Sequence, residues 1–66
     1  MFLYKIEIEL KDQTAYLIIL APTDEKAFDH VDSHVARHFI KSPEIISAAI
    51  VEKKRTEAGS GYVIAL

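Results

Sequence analysis

Three histidines, His30, His34 and His38, recur at intervals of four, and the chain has no others. Residues four apart are neighbours on one face of a helix, so two imidazoles at that spacing can share a Zn²⁺ or Ni²⁺ ion. At 3.6 residues per turn each step drifts by about 40°, so adjacent pairs suit one ion better than all three. Asp29 and Asp32 stand nearby in sequence as further donors. The plainer reading is a set of histidines flanking the apolar stripe of an amphipathic helix, with His38 bordering the stripe and His30 nearer the water. Metal binding through His30, His34 and His38 is therefore an alternative, and no cofactor is expected.

Other chemistries have less to work with. Ser33 adjoins His34, but successive helical residues point about 100° apart, so hydroxyl and imidazole do not meet. Ser60 has no base beside it, and there is no cysteine. No enzyme activity is expected. Gly59-Ser60-Gly61 precedes a strand-like run and not a helix, so it reads as a hairpin turn needing positive φ, not as a phosphate cradle. Lys53, Lys54 and Arg55, with Tyr62, are the materials of a small single-stranded RNA platform. Such a platform needs exposed mid-sheet aromatics, whereas Phe2 and Tyr4 alternate in phase with Ile6 and Ile8 and read as core. The formal net charge of −2 argues the same way. No nucleic-acid partner is expected, and weak RNA binding stands as a further alternative.

The elements that must carry these residues are legible in the patterning. Phe2, Tyr4, Ile6, Ile8 and Leu10 alternate with Lys5, Glu7, Glu9 and Lys11, which is a strand with one face on a core and one in water. Asp12-Gln13 reads as a tight turn. Residues 14–21 form a second strand with two apolar faces, Tyr16, Ile18 and Leu20 on one and Ala15, Leu17, Ile19 and Ala21 on the other. Pro22-Thr23-Asp24-Glu25 starts a helix, with Thr23 placed to cap it and the two acids at the positive end of its dipole. That helix should run from Asp24 to Ile40 and turn Ala27, Phe28, Val31, Val35 and Phe39 to the sheet, ending before Pro43. Residues 44–55 hold a third strand with Ile46, Ala48 and Ile50 on one face and Ile45, Ala49 and Val51 on the other. A turn at 57–61 leads to a last strand, Tyr62 to Leu66.

The expected architecture is a single α+β domain over residues 1–66, β-β-α-β-β. It has a four-stranded, mainly antiparallel sheet and one helix on one face. Strand order 2-1-3-4 makes the sheet fully antiparallel, and 1-2-3-4 is the other possibility. In a chain of 66 residues that is 50% hydrophobic, one helix does not cover a sheet of four strands. Apolar residues on the second face then mark an interface, with Tyr16, Leu17, Ile18, Ile19, Ile45, Ala49 and Val51 as its candidates. A homodimer is expected, with a larger protein as a further partner. The chain reads as a non-catalytic protein-interaction or regulatory module.

Residues 1–52 carry five basic and nine acidic side chains, and residues 53–66 carry three basic and one acidic. Such a balance does not favour anionic membranes. The N-terminus lacks the pattern of a signal peptide, and the longest apolar run, Ala15 to Pro22, is too short to span a bilayer. A soluble cytoplasmic location without membrane partners is expected. Phe2-Leu3-Tyr4-Lys5-Ile6-Glu7-Ile8-Glu9-Leu10, Asp24-Glu25-Lys26-Ala27-Phe28, Pro43-Glu44-Ile45, Glu52-Lys53-Lys54 and Gly59-Ser60-Gly61-Tyr62-Val63-Ile64 together resemble short uncharacterised single-domain proteins of Bacillus-type bacteria. The resemblance covers nearly the whole chain. It implies a bacterial cytoplasmic protein with no assigned activity, and it transfers no catalytic or ligand position.

Overall fold

The computed structural model describes every residue except 40, 42, 62, 64 and 66. Its elements in chain order are β1 (Phe2–Leu10), β2 (Thr14–Ala21), α1 (Asp24–Asp29), α2 (Val31–His38) and β3 (Ile45–Arg55). The strands lie in the order β2-β1-β3, and both pairings are antiparallel. The class is α+β, as the patterning indicates, and the three described strands follow the first three of the order 2-1-3-4.

Strand β1 holds the centre, paired on both sides, and its alternation puts one face on the core. Tyr4, Ile6, Ile8 and Leu10 are buried, and with Ala21, Ala27, Val31 and Val35 they form the core. Leu10 N–H donates to the Gln13 carbonyl at 2.9 Å. The hairpin thus turns at Lys11 and Asp12, one residue earlier than the sequence suggests.

The helix departs from a single rod. Thr23 caps α1 as expected, its hydroxyl accepting from the Lys26 N–H at 3.2 Å. At His30, with φ −92° and ψ −6°, the backbone enters the sparsely populated region between helix and strand. Its N–H donates to the Ala27 carbonyl at 3.3 Å, an i to i−3 bond that tightens the turn and separates α1 from α2. The helix stops at His38, because Phe39 turns extended, and Ile40 lies outside the described residues. Ala27, Val31 and Val35, spaced by four, are the buried stripe. Phe28 sits about 100° round from Ala27 and is 40% exposed, so it flanks the core it was expected to join.

Strand β3 corrects a second expectation. Its pairing with β1 shifts register between Glu9 and Leu10 and between Lys5 and Ile6, leaving Ile46 and Val51 without partners. Each extra residue flips the side-chain parity that follows it. Ile45, Ala48 and Ile50 therefore share the helix side and are half-buried, while Ile46 and Val51 are 57% and 45% exposed. The second bulge also carries Lys53 to the helix side, opposite Tyr4.

The described residues give three strands where four were expected. Of the anticipated last strand, Tyr62, Ile64 and Leu66 lie outside the described residues, and Val63 and Ala65 belong to no strand. A turn forms before them at the expected place, but no described strand follows to make it a hairpin. Gly59 has φ +86°, and Ser60 N–H donates to the Glu57 carbonyl at 3.1 Å.

Candidate functional site

Three places on the molecule gather residues with chemistry. The first is a contact across the helix side of the sheet. The Tyr4 hydroxyl donates to Asp24 Oδ1 at 2.7 Å, and Lys53 Nζ donates to the same oxygen at 2.8 Å. The ammonium also lies 4.4 Å from the centre of the Phe2 ring and 5.5 Å from that of Tyr4. Hydrogen bonds from Lys53 and Tyr4 hold the Asp24 carboxyl below its ordinary pKa. The Asp24 bond holds Lys53 above its usual value, and burial, then Asp24, pushes Tyr4 up. These shifts run opposite to those of a Schiff-base lysine or a general acid poised near neutrality. The trio works as a clamp, tying the first turn of α1 to β3 and satisfying a phenol at the edge of the core. The sequence carried one signal for it: a Tyr in a core-facing register needs a partner for its hydroxyl.

The second place is the histidine ladder. His30 is exposed at the helix break, His34 is half-buried, and His38 is exposed with its ring against Phe39, centroids 4.9 Å apart. The His30 and His34 rings are 6.3 Å apart. Among the described residues no group of three or more His, Asp or Glu side chains is placed to hold a metal ion. His34 and His38 instead line a cavity of about 220 Å³ with Ile8, Tyr16, Leu17 and Phe39.

The third place is the sheet face without a helix. The register puts Leu3, Lys5, Glu7 and Glu9 of β1 on it, flanked by Leu20, Ile18, Tyr16 and Thr14 of β2. On the other flank stand Lys54, Glu52, Ala49 and Ser47 of β3. The middle and one flank are polar: Ser47 Oγ donates to Glu9 Oε2 at 3.2 Å, and Lys5 Nζ sits 4.8 Å above the Tyr16 ring. The other flank is apolar, with Tyr16, Ile18 and Leu20 exposed by 49%, 39% and 52%. Of the interface candidates, Tyr16, Ile18 and Ala49 face this side, and Val51 is an exposed bulge residue. Leu17, Ile19 and Ile45 do not face it. They pack against the core on the helix side, because their partners there are Ile6, Tyr4 and Leu10.

The basic run does not form one patch. Lys53 points to the helix side and is engaged by Asp24, while Lys54 takes the opposite side and donates to the Gly61 carbonyl at 3.0 Å. Among the described residues no helix is long and apolar enough to cross a membrane.

Comparison with known proteins adds a family and no activity. The profile of one family, described as protein of unknown function (DUF3906), matches residues 1–64. No curated protein matches the chain, and no solved structure does.

Proposed function

The chain belongs to this family of unknown function, so its reading starts from geometry, and we propose that it is a small non-catalytic interaction module that self-associates through its sheet. The observation that carries this reading is the row Tyr16, Ile18 and Leu20, three large apolar side chains exposed side by side on a strand that, among the described residues, pairs only with β1. A domain this small has little apolar surface to spare, and an exposed apolar row costs it solubility unless something covers it. The polar remainder of the same face, with Lys5, Glu7, Glu9 and Glu52, suits the rim of such an interface and a site for a larger protein partner. Light scattering across a concentration series tests the reading. A dimer mass at micromolar concentration is expected, and a monomer persisting to high micromolar concentration overturns it.

A further inference from the structure

We propose that two copies of this chain join edge to edge through β2, antiparallel about a two-fold axis at Ile18, to make one continuous sheet from the three described strands of each. The inference rests on the self-association just proposed and names its partner, its edge and its register. Among the described residues β2 pairs only with β1, so its outer edge presents alternate unpaired N–H and C=O groups. Nothing in β2 guards that edge. Thr14–Ala21 contains no charge, no proline and no glycine, and its ladder with β1 runs without a bulge.

The residue order selects the occupant. In an antiparallel pair about a two-fold axis normal to the sheet, the axial residue meets its own copy and equal offsets oppose one another. Around Ile18 this sets Leu17 against Ile19, Tyr16 against Leu20 and Ala15 against Ala21. Every opposed pair is apolar, on both faces. Moving the axis to Leu17 sets Leu20 against Thr14 and Ala21 against Gln13. Moving it to Ile19 sets Tyr16 against Pro22, which has no N–H to give to a ladder. The strand therefore complements itself best about Ile18. Seven paired residues give about 24 Å of shared edge. The pairing covers the exposed Tyr16 and Leu20 with each other, and it sets the two helix layers on the same side of the sheet.

The chain has no cysteine, so introduced ones report the register cleanly. Opposed residues of an antiparallel pair lie about 4.5–5.5 Å apart at Cα, within the span of a disulfide. Under mild oxidation, Ile18→Cys alone should become mostly covalent dimer. Tyr16→Cys should link to Leu20→Cys when the two are mixed, and each alone should link far less. Leu17→Cys mixed with Ile19→Cys should link as well, which a dimer stacked through the uncovered faces does not allow. A dimer by mass that fails the Leu17 and Ile19 pairing overturns the edge register while leaving self-association standing. A monomer throughout overturns both. Circular dichroism checks each variant. Where one fails to fold, contacts between isotope-labelled and unlabelled wild-type chains read the same register, and their absence across Ile18 in a dimer also overturns it.

Discussion

Among the described residues, the two edges of this sheet are built to opposite specifications. β3 carries Glu52, Lys53, Lys54 and Arg55 in its second half and two bulges at Ile46 and Val51. Charges and bulges are the devices by which proteins keep an edge strand from pairing further. β2 has neither, and its register with β1 is unbroken from Phe2 opposite Ala21 to Glu9 opposite Thr14. One edge carries these devices and the other does not. The same bulge that disrupts β3 turns Lys53 inward to Asp24, so the guarded edge is also the one clamped to the helix layer. The difference teaches that equal apolar exposure can sit on edges of opposite character. Val51 and Ile46 are as exposed as Tyr16 and Ile18, yet they sit on bulges along a charged strand.

The largest effect should come from the strand both edges share. Ile6 is fully buried between Ile50 and Leu17, and Ile6→Ala should cost about 2–5 kcal/mol in a denaturant titration. A domain of this size has only about 3–5 kcal/mol to lose, so the variant should be largely unfolded and both edges should vanish together.

The next test separates the edges. Ile18→Lys brings two like charges together at the proposed axis and should weaken association about a hundredfold or more, ~2.7 kcal/mol, by sedimentation. Ala49→Lys, on the same face but on β3, should leave the association constant unchanged. Equal effects would dissolve the distinction between the edges and point to stacked faces.

The smallest effect concerns the clamp at the β3 edge and shows as a pH dependence. Asp24 is held below its unfolded pKa, so its contacts contribute stability above about pH 4 that is lost as pH falls through the folded value. Lys53 and Tyr4 are held above theirs, so their contribution is full below about pH 10 and lost as pH rises through the folded values. Asp24→Asn should lower the melting temperature at neutral pH and flatten its fall toward about pH 3. Melts recorded across that range check it, and an unchanged acid limb would assign the acid sensitivity to other carboxylates.

What the sequence reveals follows the range of the interactions concerned. The alternation of Tyr4, Ile6, Ile8 and Leu10, the Thr23 cap and the Gly59 turn are local, and each stands where the residues put it. The bulges at Ile46 and Val51 depend on how β3 meets β1, so strict alternation assigned Ile45 to the wrong face. The break at His30 leaves no mark in the residue types, and the buried stripe Ala27, Val31, Val35 is narrower than the apolar residues suggest, which puts Phe28 outside it. Two of the three residues in the exposed row of β2, Tyr16 and Ile18, were among the sequence candidates. Ile18 and Ile19 are alike by type, and only the fold shows that Leu17 and Ile19 turn to the helix side against the core while Tyr16 and Ile18 face the other side.

Amide hydrogen exchange measured at low and high protein concentration tests the contrast between the edges most directly. Outward-facing N–H groups of β2 around Ile18 should slow as concentration rises, while those of β3 stay fast. Slowing at β3 and not at β2, or no concentration dependence at either edge, would contradict the account.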